Sequence, residues 1–93
     1  MKEREKMIQE HVVVHLKSGL QARSAALFVQ EANHYSSKIE IQKSNKKVNA
    51  KSIMGMMSIA IRSGEEVLLI VSGPDEKEAL NAMKAFVSQD DIS

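Results

Sequence analysis

Between Ile53 and Ile61 the chain offers a short helix with more apolar surface than a small protein can easily cover. On a wheel at about 100° per residue, Met56, Ile59 and Ala60 fall on one side. Ile53, Met54, Met57 and Ile61 fall on the adjoining side. Together they span an arc of about 220°, where a surface helix needs a stripe of about 100°. Half of that arc can face a core. Burying the rest requires chain on both sides of the helix, and 93 residues leave little to spare. An exposed methionine-rich face suits a chain of this size better, because the flexible thioether adapts to binding partners. Ser52, directly after Lys51, is placed as the helix N-cap at the edge of this face. A phosphate there would meet the free N–H groups and positive end of the helix.

The length fits one small domain. A composition 43% hydrophobic but only 3% aromatic implies a core of Val, Ile, Leu, Met and Ala. Thirteen basic against twelve acidic residues, a net charge of +1, argue against direct nucleic-acid binding, which usually needs a basic excess. There is no cysteine, hence no disulfide framework and no thiolate metal site. No apolar run approaches the roughly 18 residues of a membrane span, and no secretory signal is visible. The expectation is a soluble cytoplasmic protein without membrane attachment.

Residues 1–7 read as a charged, mobile leader, with Met7 an alternative start. Residues 8–89 read as the domain and 90–93 as an acidic tail. From Ile8 to Leu16, Ile8, Val12, Val14 and Leu16 alternate as a half-buried strand, broken by Glu10, with His11, Val13 and His15 on the other face. Lys17-Ser18-Gly19 is a turn. A helix follows, with Ala25, Phe28, Val29, Ala32 and Tyr35 at helical spacing. Ile39 and Ile41 mark a second strand, and Lys46 to Asn49 a short charged edge strand. The Ser52 helix is expected to stop at Ser63-Gly64. Val67 to Val71 forms an apolar run compatible with a central strand. Asp75 and Glu78 stand at capping-box spacing before a last helix with Ala79, Leu80, Met83, Phe86 and Val87 on one face. The βαββαβα order implies an α+β layer structure, a four-stranded sheet covered on one face by helices.

The spacing supports no Ser/His/Asp arrangement, no P-loop and no metal or cofactor site. Lys51-Ser52 lacks the glycine-rich run that a P-loop needs, and the aromatic residues fall in helices rather than on an RNA-binding sheet. His11 and His15 share a strand face but lie too far apart to hold one metal easily. The residues alone therefore give a small α+β domain with a candidate binding helix, and the expectation is that it is not an enzyme.

Two motifs extend this reading. Gly19-Leu20-Gln21-Ala22-Arg23-Ser24-Ala25, followed by Lys51-Ser52-Ile53-Met54-Gly55-Met56-Met57-Ser58, resembles the two signatures of the HPr family of the sugar phosphotransferase system. The similarity runs from about Met7 to the last helix. It implies an open-faced β-sandwich, an antiparallel four-stranded sheet covered on one face by three helices. In that family the first motif reads Gly-[Ile/Leu]-His-Ala-Arg-Pro, and its histidine carries phosphate from Enzyme I to sugar permeases. The second carries a serine phosphorylated by an ATP-dependent HPr kinase/phosphorylase.

Gln21 stands at the histidine position and Ser24 at the proline position. A glutamine amide nitrogen has a delocalised lone pair and cannot form the labile phosphoramidate. Proline would be preorganised for a first helical turn; serine either loosens that turn or substitutes side-chain capping. The glutamine places the chain with the catabolite-repression branch of the family. The resemblance assigns Ser52 as the kinase target and Ile53, Met54 and Met57 as the partner surface, with Leu20, Arg23 and Lys51 counted in it. It sets Arg23 near Ser52. The implied partner is a LacI-type catabolite control repressor; the alternative is a metabolic enzyme. His15 and His34 both lack the helix-N-terminal setting that would favour a phosphoimidazole. Strand exchange through Lys17-Ser18-Gly19, giving a homodimer, is compatible with the pattern and demanded by no residue in it.

Overall fold

A computed structural model describes residues 7–90. Strand β1 (Ile8–Val13) leads to helix α1 (Ala22–Ala32), then strands β2 (Lys38–Lys43) and β3 (Lys46–Asn49). Helix α2 (Ile53–Ile59), strand β4 (Glu66–Ser72) and helix α3 (Glu76–Ser88) complete the chain. The sheet order is β1-β4-β2-β3, antiparallel throughout, so the apolar strand β4 is interior and the lysine-bearing β3 is an edge. Leader residues before Met7 and the end of the acidic tail lie outside the described residues.

Alternation decides which side of the sheet is covered. Val67, Leu69 and Val71 of β4 share a buried face, and Ile41 and Ile39 of β2 stand opposite Leu69 and Val71. Onto this face α1 delivers Ala25, Phe28 and Ala32, α2 delivers Met56 and Ile59, and α3 delivers Ala79, Leu80, Met83 and Val87. The result is the open-faced sandwich, with a core almost wholly aliphatic. Its aromatic contribution is Phe28, against whose ring Phe86 packs edge-on at 5.4 Å between centroids.

Four sequence expectations are corrected by tertiary contacts. Helix α2 stops at Ile59, where Ala60 turns left-handed at φ 49°. Ala60 is exposed, while Ile61 is fully buried and bridges to Leu20 as an isolated β-pair. Gly64 therefore ends no helix; it turns the chain at φ +89° and donates its N–H to the Val14 carbonyl at 2.7 Å. Regular pairing in β1 ends at Val13, although Val14 and Leu16 continue into the core. The Asp75 carboxylate does not cap α3. It accepts from the backbone N–H of Ser36 (3.0 Å) and Ser37 (2.9 Å) and from the Ser37 hydroxyl, while Glu76 accepts from Gly73 N–H at 3.1 Å. Glu10, the misfit in the first strand, occupies the row of Leu69 and reaches Lys84 of α3 at 2.9 Å.

Candidate functional site

The sequence-predicted site residues gather around two helix starts, and the structure builds these differently. The chain enters α1 through Gly19, at φ +69° and so close to the 61–62 backbone that a Cβ would collide with the Ile61 carbonyl oxygen. Leu20 then donates its N–H to that same carbonyl at 2.9 Å and buries its side chain completely. Full burial removes Leu20 from the partner surface; it anchors the loop instead. Gln21, exposed at the N-cap, has extended backbone, and Ala22 follows at φ 49°. A non-glycine residue there carries strain of roughly 1–2 kcal/mol.

Ser24 holds this entry. Its hydroxyl accepts from Gln21 N–H at 3.0 Å and lies 2.6 Å from the Gly19 carbonyl, to which it donates. Its own N–H donates to the Gln21 carbonyl at 3.1 Å, a bond that a proline could not make. Of the two outcomes open to serine in the proline position, side-chain capping is the one observed. Arg23 is exposed in the first turn, and among the described residues no ion pair engages it.

The start of α2 is more regular. Asn49 accepts the Lys51 N–H on its side-chain oxygen at 2.8 Å and the Ser52 N–H on its carbonyl at 3.1 Å. Ser52 is an N-cap in extended conformation, and its Oγ accepts from Gly55 N–H at 3.1 Å. Gly55 sits snugly in the first turn: an added Cβ would lie 3.3 Å from the Val48 side chain and in ordinary contact with the Asn49 carbonyl and Ser52 Oγ. The Lys51 ammonium donates to the Tyr35 carbonyl beyond the end of α1 at 2.6 Å and has no other partner among the described residues. The bridge from Leu20 to Ile61 joins the start of α1 to the end of α2, and Lys51 joins the start of α2 to the end of α1. Arg23 thus begins α1 close to where α2 ends, and no bond joins it to Ser52.

Beyond Ser52 the wheel divides as the size argument requires. Met56 and Ile59 are 0% and 4% exposed, whereas Ile53, Met54 and Met57 are 42%, 79% and 54% exposed. Two strand lysines hold the far end of this short helix. Lys46 donates to the Ser58 carbonyl at 3.0 Å and Lys43 to the Ala60 carbonyl at 2.9 Å, cations where the helix dipole favours them. Lys43 also pairs with Glu65 at 3.1 Å. The Glu65 carboxylate, accepting from Arg62 N–H and facing Lys43, titrates below its ordinary range. Neither lysine stands out in the sequence, because the carbonyl each one holds belongs to another segment of the fold.

Chemically, the first start offers an amide and the second an alcohol. The Ser52 hydroxyl accepts one backbone N–H, and no side-chain base is bonded to it. His15 and His34 lie elsewhere, the latter 3.6 Å from Glu31 at the end of α1. Among the described residues no three metal-ligating side chains cluster, and no helix is long and apolar enough to cross a membrane.

Comparison with known proteins shows the family. Residues 8–89 match the family described as PTS HPr component phosphorylation site. The HPr-like protein Crh of Bacillus subtilis (strain 168) is 57% identical over 84 residues, covering 90% of this chain and 99% of that protein. The crystal structure of a phosphocarrier protein HPr from Bacillus anthracis str. Ames superposes with a TM-score of 0.86 at 56% identity, covering 87% of this chain and 96% of that one. A crystal structure of B. subtilis Crh, described as a dimer with a swapped domain, gives 0.72 at 55% identity, covering 92% and 99% of the two chains.

Proposed function

The chain belongs to the HPr family, and we propose that within it the protein is a regulator of carbon catabolite repression rather than a phosphocarrier. In this reading an ATP-dependent HPr kinase/phosphorylase phosphorylates Ser52. The phosphorylated protein then acts as corepressor of a LacI-type catabolite control protein. The observation that carries it is the placing of an N-cap serine hydroxyl at the border of the exposed Ile53, Met54 and Met57 face. Support comes also from Gln21 at the start of α1, where the amide offers no nucleophile.

The transfer is a simple exchange. Ser52 Oγ attacks the γ-phosphorus of ATP, the bond to ADP breaks, and the hydroxyl proton passes to a base on the kinase. The phosphate adds about −1.5 to −2 charge beside an apolar face. Arginine or lysine on the repressor bonds the phosphate, and the thioethers and Ile53 supply area that a partner can dehydrate. Each such side chain contributes up to about 1.5–3 kcal/mol before ordering costs, whereas an exposed ion pair alone contributes about 1 kcal/mol or less. Tight binding therefore requires both. In this reading Arg23 and the Lys51 ammonium supply polar contacts around the apolar face.

Titration of the repressor with phosphorylated protein, unphosphorylated protein and phosphorylated Met54→Ala tests this. One strong and two weak isotherms are expected. Equal affinities for the first two would remove phosphate from the mechanism and favour a metabolic-enzyme partner.

A self-association reading has its own observation. Among the described residues strand β1 is a sheet edge, paired only with β4, and it joins the body through the Lys17–Gly19 turn. Exchange of β1 between two copies would leave every strand pairing intact, and light scattering at increasing concentration would show a species of twice the mass.

A further inference from the structure

We propose that Met54 and Met57 form a peroxide-sensitive modification site, and that their oxidation to sulfoxide turns off the apolar surface of α2. The consequence for binding rests on the partner-surface reading above. The chain has no cysteine, so its oxidisable sulfur lies wholly in six methionines. Exposure divides the described ones sharply. Met7, Met54 and Met57 are 58%, 79% and 54% exposed, whereas Met56 and Met83 are fully buried. Met54 and Met57 stand three apart on one helix, the spacing of neighbours on a single face, and Ile53 borders them. Met7 precedes β1 and is not part of this face.

The step balances with a hydroperoxide as the oxidant. A thioether lone pair attacks a peroxide oxygen, an S–O bond forms and the O–O bond breaks. Sulfur is oxidised by two electrons, and hydrogen peroxide leaves as water after proton transfer. The product is a polar acceptor on a side chain that was apolar, and methionine sulfoxide reductases reverse it. In solvent this change is tolerated; against a partner the new oxygen must be dehydrated without a bond. Burial of such a group weakens association about tenfold or more. The sulfurs buried in the core are protected from the same oxidant, so the fold survives while its exposed helix face changes character.

The full-length protein is treated with graded hydrogen peroxide and digested for peptide mass mapping. Retention on a phenyl column and repressor affinity of the phosphorylated form are measured in parallel. Met54 and Met57 are expected to oxidise well before Met56 and Met83, with unchanged far-UV circular dichroism, earlier elution and about tenfold weaker repressor binding. Methionine sulfoxide reductase should restore elution and affinity, and Met7→Leu should respond like the wild type. In Met54→Leu/Met57→Leu the ratio of treated to untreated affinity should stay near one, whatever its untreated value. Oxidation spread evenly over buried and exposed methionines would overturn the proposal, as would unchanged elution after Met54 and Met57 are oxidised. If untreated phosphorylated protein fails to bind repressor, the corepressor reading falls, and mapping with elution still decides this one.

Discussion

The starts of α1 and α2 occupy the two positions at which the family resemblance expects phosphate, and they differ in construction. At Gln21 the backbone is held by a buried glycine approach, a left-handed alanine and a serine with bonds to both sides. At Ser52 one hydroxyl caps one N–H and an exposed apolar face begins at the next residue. The first has kept a shaped loop around a side chain with no phosphoryl chemistry. The second presents a hydroxyl. Loop geometry and chemical competence are separable properties, and this molecule carries one without the other at Gln21.

The sharpest way to break the comparison is to remove the hydroxyl. Ser52→Ala should abolish phosphate uptake from ATP and HPr kinase/phosphorylase, read by intact mass, while lowering stability by about 1 kcal/mol through loss of the cap. One phosphate still incorporated would move the site to another serine. Ser58 is the poorer alternative, since its hydroxyl donates to the Gly55 carbonyl at 2.8 Å from within the helix.

The converse concerns Gln21. With Enzyme I and labelled phosphoenolpyruvate the wild type should stay unlabelled, and acid-labile label on any histidine would contradict the reading. Gln21→His should acquire some label, since it restores an imidazole at the exposed start of α1. Its yield should stay well below one phosphate per chain, because Ser24 rather than proline shapes the turn.

Ser24 tests whether the first start depends on its side-chain bonds. Ser24→Ala leaves Gln21 N–H without its acceptor and should cost about 1–2 kcal/mol in urea unfolding. No effect would mean that the Leu20 bridge alone holds the loop.

The difference between the two starts also explains what the sequence disclosed. Ser52, its cap and the divided wheel of α2 are local: serine, glycine and the methionines lie within one turn or two of each other. Strand alternation gave the sheet, and the interior place of β4 followed from its unbroken apolar run. What escaped was set by distant partners. Ile61 leaves the helix because Leu20 pairs with it, and Asp75 abandons its own helix for Ser37, 38 positions back in the chain. Glu10 looks misplaced until Lys84 is brought beside it. Leu20, counted from the motif as a surface residue, is interior for the same reason. A motif names positions; burial at each is decided by the strand or helix that arrives later.

The smallest effect separates the two starts by acid. Asp75 holds Ser36 and Ser37, next to the Tyr35 carbonyl that receives Lys51, and so supports the Ser52 end. Glu65 holds Arg62, next to the Ile61 carbonyl that receives Leu20, and so supports the Gln21 end. Both carboxyls titrate below their ordinary ranges, Asp75 first through the Ser37 hydroxyl and then Ser36 N–H, Glu65 first through Arg62 N–H and then Lys43. A depressed folded pKa contributes stability that is complete above the unfolded value and is lost as pH falls through the folded one. Asp75→Asn and Glu65→Gln should therefore melt below wild type at neutral pH, and each gap should close as acid protonates the wild-type carboxyl. In wild-type amide spectra recorded through the same range, Ser36 and Ser37 should respond with Asp75, and Arg62 with Glu65. If Asp75→Asn instead shifted the Arg62 amide as strongly as its own neighbours, the two ends would be one coupled unit, and the distinction between them would hold for chemistry but not for stability.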